Sequence, residues 1–112
     1  GTVAKFLNME SVPQQLQGST FLKDLNAGGM TAPGVKYTVI ATRFDNRVFP
    51  WTNALIPEPR AKNIVIQDVC PLDHSAHTNI TYDPMTYQVV ANALEPQRAT
   101  PVRCSVRPFF PR

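Results

Sequence analysis

Two stretches of the chain carry apolar residues without regular polar alternation. The first is "VKYTVIATRF", residues 35–44, in which Val35, Tyr37, Thr38, Val39, Ile40 and Thr42 are strand formers. The second is "KNIVIQDV", residues 62–69, centred on Ile64, Val65 and Ile66. A half-exposed strand alternates apolar and polar positions. A continuous apolar centre suits a strand covered on both faces, as in a parallel sheet. A third apolar pattern has helical spacing. In "TYDPMTYQVVANALEP", residues 81–96, Tyr87, Val90, Ala91 and Leu94 share one face. Asp83 reads as its N-cap, Pro84 as its first helical residue, and Pro96 follows its end.

The first third is more broken. Pro13 fits the first turn of a short helix with Ser11 as its cap. "GSTFLKDLNAGG", residues 18–29, predicts a second, capped by Ser19 or Thr20. Its apolar face is Phe21, Leu22 and Leu25, and Gly28 and Gly29 stop it. "WTNALIPEPRA" is an irregular excursion between the strands, and the tail after Glu95 is extended. The order is therefore helices, strand, loop with Asp45, strand, loop with His77, helix, tail. Two buried strands cannot cover their own faces or pair their own edges. The expected class is α/β, with the chain as the back portion of a larger sheet, and its opening "GTVAKFL" reads as cut within an apolar segment.

Composition changes this picture little. The chain has 112 residues, 43% hydrophobic, enough for one small domain or part of a larger one. No apolar run reaches the roughly 18–20 residues of a membrane span. The net charge of +3 comes from scattered lysines and arginines rather than a basic block, so nucleic acid is not an expected partner. Cys70 and Cys104 can form one disulfide or stay as two buried thiols. A bond would close a loop of about 35 residues and contribute roughly 3–4 kcal/mol on the loop-entropy model. Such bonds belong to secreted proteins rather than the cytosol.

The chemistry concentrates in "CPLDHSAH", residues 70–77, which holds a cysteine, an aspartate and both histidines. Asp73, His74 and His77 could offer metal ligands, but Pro71 argues for a loop, and no third histidine completes a set. A Cys70 nucleophile with His77 lacks the electropositive surroundings that make a thiolate. The third reading is half of a serine hydrolase triad. There a histidine takes the serine proton and a buried carboxylate holds its other ring nitrogen. In α/β-hydrolases the chain order is serine, acid, histidine, with acid and histidine on loops after successive late strands. Asp45 and His77 stand in those places, at the carboxyl ends of strands where open α/β sheets put their sites.

"TVIATRFDNRVFPWTNALI" and "NIVIQDVCPLDHSAHTNITYDPMTYQVVANALEP" together resemble the secreted lipases of the actinobacterial class 2 family and their fungal relatives, and more distantly the yeast lipase B of Candida antarctica. The family's acid lies in an aromatic-Asp turn that runs on to Val-x-Pro, here "RFDNRVFP". Its histidine follows Cys-Pro-Leu-Asp after three further residues, here "CPLDHSAH". The opening "GT" and the tail "VRCSVRPFF" also resemble family segments. The likeness implies the C-terminal portion of an α/β-hydrolase fold, a parallel sheet with flanking helices, spanning residues 1–112. It implies Asp45 as triad acid, His77 as triad base, a Cys70–Cys104 disulfide and secretion. It also places Val48, Phe49 and Ile80 near the acyl pocket. It assigns His74 no chemistry and calls for no metal or cofactor.

The departure from the family is the nucleophile. The serines are Ser11, Ser19, Ser75 and Ser105, and none sits in a small-x-Ser-x-Gly elbow between strand and helix. The expectation is a carboxylic-ester hydrolase, a lipase or esterase, in two polypeptides. An N-terminal chain would supply the serine, the oxyanion hole and most of the sheet. The substrate would be an ester or lipid. The competing expectation is a non-catalytic binding or structural module built on an α/β-hydrolase tail. "NIT", residues 79–81, is a glycosylation sequon whose glycan would crowd His77, and it is expected to be unmodified.

Overall fold

The structure, a computed structural model, describes residues 11–105. It divides into two compact units between Pro33 and Gly34.

The first unit holds two short helices, α1 (Ser11–Gln14) and α2 (Thr20–Leu25). Ser19 caps α2, its hydroxyl accepting from the Leu22 N–H at 3.2 Å. Ser11 lies inside α1 rather than ahead of it, because the turn closes from Ser11 itself, whose carbonyl accepts from the Gln15 N–H. The helix ends at Leu25 with Asn26 as its cap, and Gly29 follows at φ 99°, a left-handed conformation that suits glycine. Phe21 and Leu25 stay more than half exposed.

The second unit is built on two parallel strands, β1 (Tyr37–Ala41) and β2 (Ala61–Val65). This is a small mixed helix and strand fold with a two-stranded parallel sheet. Tyr37 pairs with Ala61 and Ala41 with Val65, so both strands end level at one edge. They are buried at their carboxyl ends, where Ala41 is 3% and Val65 9% exposed. Thr38, Lys62 and Asn63 are open to solvent, so the described chain does not cover both faces as the apolar runs suggest.

The second strand is shorter than its pattern predicts. Ile66–Val69 turn into a single helical turn, α3. The Cys70 N–H donates to the Ile66 carbonyl at 2.9 Å. Four residues apart on this turn, Ile66 and Cys70 both point inward and are fully buried. A straight strand would place them on one face too, but extended by about 13 Å and beyond the reach of one core.

Asp83 and Pro84 start α4 (Pro84–Leu94) as the sequence predicts, with the Asp83 carboxylate accepting from the Met85 N–H at 2.9 Å. The face it buries is not the predicted one. Met85 and Val89 join Ile66 and Cys70 in the core, while Tyr87, Val90 and Leu94 remain exposed. Both sides of this helix are apolar. Periodicity alone cannot choose between them, and the side facing α3 wins.

Cys104 is bonded to Cys70 with 5.2 Å between Cα atoms, an ordinary spacing. The closed loop spans a separation of 34 residues and contributes roughly 3–4 kcal/mol by restricting the unfolded chain. Two amide side chains on α4 reinforce this staple. Gln88 accepts from the Arg103 N–H at 2.7 Å and donates to its carbonyl at 3.1 Å. Asn92, one turn on, does the same to Thr100 at 3.1 and 2.8 Å. Asn63 clasps Ile56 in the same way. Each amide copies the donor–acceptor pair of a neighbouring strand, which lets an irregular segment satisfy its backbone. Among the described residues no helix is long and apolar enough to cross a membrane.

Candidate active site

Each of the two motifs folds around an aspartate that organises its own backbone. In "RFDNRVFP", Asp45 Oδ1 accepts from the N–H groups of Arg47 and Val48, both at 2.8 Å. This turn suits aspartate, whose short carboxylate reaches the amides two and three residues on. The Phe49–Pro50 bond that follows is cis. In "CPLDHSAH", the Asp73 N–H donates to the Cys70 carbonyl at 2.9 Å, closing a turn with Pro71 at its second position. Asp73 then accepts from the Ser75 N–H at 2.8 Å. The disulfide anchors one end of this loop and the Asp83 cap of α4 closes the other.

The two loops meet at Asp45 and His77, 32 residues apart in sequence. Nδ1 of His77 lies 3.1 Å from both carboxylate oxygens of Asp45. The Asp45 side chain is 10% exposed and that of His77 46%. Burial by itself would raise the Asp45 carboxyl. The Val48 and Arg47 N–H groups and His77 outweigh it and hold the carboxyl below its ordinary value of 3.8. A fixed negative charge therefore faces Nδ1, which keeps the proton on that nitrogen. In the neutral ring Nε2 is then left with its lone pair for a proton acceptor's role. A half-exposed pair of this kind is worth only about 0–1 kcal/mol, so it does not position its own loops.

His74 is placed differently. Its Nδ1 donates to the Leu72 carbonyl at 2.6 Å, and its ring lies against Phe44 at 5.0 Å between centroids. It makes no contact with the Asp45 carboxylate among the described residues. Cys70 is committed to the disulfide, so its sulfur is not a free nucleophile. Among the described residues no group of three or more His, Cys, Asp or Glu could hold a metal ion. Val48 and Ile80 are half-buried while Phe49 is 87% exposed. Asn79 is exposed at the start of a 3-10 turn, Asn79–Tyr82. A shallow hollow at Leu94–Arg98 shares no residue with the Asp45–His77 pair.

A second carboxyl pair lies under the histidine loop. Asp73 and Asp83 are each 6% exposed. The Ser75 hydroxyl donates to Asp83 Oδ2 at 2.7 Å. Burial raises the Asp83 carboxyl, and its hydrogen bond to Asp73 and the charge of Asp73 add to this, against the Ser75 hydroxyl and Met85 N–H. Burial works the same way on Asp73. There the hydrogen bond from Asp83, the Ser75 groups and the charge of His74 prevail, and its carboxyl is lowered. The two carboxyls are thus driven apart, Asp83 upward and Asp73 downward.

The consequence for stability has opposite signs at the two residues. The Asp83 contribution is full below its ordinary value of 3.8 and is lost as pH rises through its raised folded value. The Asp73 contribution is present above 3.8 and is lost as pH falls through its lowered folded value. Asp83→Asn keeps an acceptor for Met85 and a donor toward Asp73 at every pH. The melting temperature of the variant should therefore fall less than that of the parent between acid and neutral pH, followed by circular dichroism. Parallel profiles would contradict the raised Asp83 carboxyl. Asp83→Ala, which loses the helix cap, should cost about 1 kcal/mol.

Sequence reasoning passed over Thr42, Gln67 and the Asp73–Asp83 pair. The available signal was Gln67, a polar residue directly after the apolar Ile64–Ile66, where a buried amide needs partners. No protein-family model matches the chain, and no curated protein matches it.

Proposed function

We propose that this chain supplies the acid and the base of a Ser-His-Asp triad in a secreted carboxylic-ester hydrolase, a lipase or esterase of the α/β-hydrolase fold. The observation that carries the reading is the contact of His77 Nδ1 with both oxygens of Asp45 at 3.1 Å. It supports His77 over His74 as the base. The parallel strands ending level at the site, the disulfide, and the uncovered strand faces and outer stripe of α4 add support for a larger sheet completed from outside the chain.

The nucleophile comes from outside these 112 residues, on an accompanying polypeptide or a longer chain. Ser75 donates to Asp83, Ser19 caps α2, and no serine hydroxyl bonds His77 among the described residues. His77 Nε2 takes the proton of that external serine as its oxygen attacks the ester carbonyl. Asp45 stabilises the imidazolium, which returns the proton to the departing alcohol. Water repeats the cycle and releases the acid. The oxyanion donors are external as well.

The reading is tested by ester hydrolysis in the protein as isolated, together with its reduced, denatured masses. It requires a serine-bearing sequence beyond these 112 residues, as a second polypeptide or as a mass above 12.5 kDa. A lone 12.5 kDa species without turnover would leave the binding or structural module as the function.

A further inference from the structure

The geometry points to Thr42 and Gln67 as positioning residues that clamp the Asp45 loop to the His77 loop. Neither side chain bonds the side chain of Asp45 or His77; Thr42 meets Asp45 only through its backbone carbonyl, which accepts from the Asp45 N–H at 3.3 Å. Both are buried, at 2% and 7% exposure. Thr42 directly follows β1, three residues before Asp45, and Gln67 sits on α3. The Gln67 amide reaches both loops. Its Oε1 accepts from the Arg43 N–H at 2.9 Å on the acid side. Its Nε2 donates to the Asp73 carbonyl at 3.1 Å on the base side, and also to Thr42 Oγ1 at 2.9 Å.

The Thr42 hydroxyl completes the clamp. It accepts from the Phe44 N–H at 3.2 Å, one residue before Asp45. It donates to the Ser75 carbonyl, two residues before His77. One hydroxyl and one amide thus spend both N–H groups, the single O–H and the acceptors they offer on these two loops. Among the described residues, Thr42–Ser75 and Asp45–His77 are the hydrogen bonds that join the loops directly. The second is half exposed to solvent; the first is part-buried, with its donor Thr42 2% exposed. A fully satisfied network on two buried side chains fixes geometry far better than an exposed ion pair does. The distance between Asp45 and His77 is therefore set by Thr42 and Gln67, and the pair reads out that distance.

The effect on turnover rests on the hydrolase reading, whereas the placement of His77 does not. The test is NMR of the protein as isolated, carrying 15N-labelled histidine. The readout is the downfield His77 Nδ1–H resonance expected of an imidazole bonded to a carboxylate. Thr42→Val removes the hydroxyl at nearly constant shape, and Gln67→Met removes the amide at nearly constant length. Both should lose this resonance while circular dichroism and the disulfide persist. Thr42→Ser, which restores the hydroxyl, should keep it. Ester turnover in the first two variants should fall about 100-fold in kcat with little change in KM, the cost of an ångström-scale misplacement. Loss of the resonance in a protein without ester turnover would keep the clamp and sink the hydrolase reading. Retention of the resonance in both Thr42→Val and Gln67→Met would overturn the clamp. Global unfolding of both would overturn it too, since the network would then be general core rather than a device for the pair.

Discussion

Replacing His77 with alanine is expected to lower ester turnover by about a million-fold, while His74→Ala stays within a few-fold of the parent. The two histidines lie three residues apart, and sequence spacing alone offers either as the base. The geometry separates them. His77 Nδ1 faces the ionised Asp45 carboxylate, so its Nε2 is the nitrogen able to accept a proton. His74 spends its Nδ1 on the Leu72 carbonyl and packs its ring on Phe44. On the proposed reading, removing the base leaves binding and oxyanion contributions supplied from outside these residues, so a residual rate above the uncatalysed one should persist. Steady-state kinetics on a soluble ester reads both variants. The reverse ranking would move the base to His74 and break the proposed assignment.

Asp45→Asn should lower kcat by about 10⁴-fold with the fold intact. The size follows from where the replacement oxygen must sit. Oδ1 of Asp45 receives two backbone N–H groups at 2.8 Å, and an amide can meet them only with its oxygen. The amide nitrogen then takes the place of Oδ2 and points its hydrogens at His77 Nδ1. The imidazole has to accept there, so its proton moves to Nε2 and the base is lost. The 15N shifts of His77 should report this change of tautomer directly. A variant that retains a tenth of the parental kcat would show that Asp45 does not set the tautomer.

Local signals written in single residues were legible. Asp83 followed by Pro84 marks a helix start because both act through the chain on either side of them, and α4 begins there. Ser19 caps α2 for the same reason. Asp45 and His77 could be nominated because each follows a strand, and the parallel register then brings their loops to one edge. What could not be read depends on closure of the chain. Ile66–Val69 look like strand because their apolar run continues β2, yet the core is reached by a helical turn. The helix stripe Tyr87, Val90 and Leu94 is as apolar as the one actually buried, and only the position of α3 selects Met85 and Val89. The clasps of Gln88, Asn92 and Asn63, and the clamp of Thr42 and Gln67, join residues too distant in sequence for any periodicity to report.

The central proposal is that Asp45 and His77 serve a serine carried outside these 112 residues. A fluorophosphonate ester, which bonds covalently to an activated serine, tests it most directly when every polypeptide in the isolated protein is weighed after labelling. The account predicts one added phosphonyl group on a serine outside these 112 residues, and no addition in His77→Ala. Labelling that survives His77→Ala, or no labelled polypeptide at all, would contradict it.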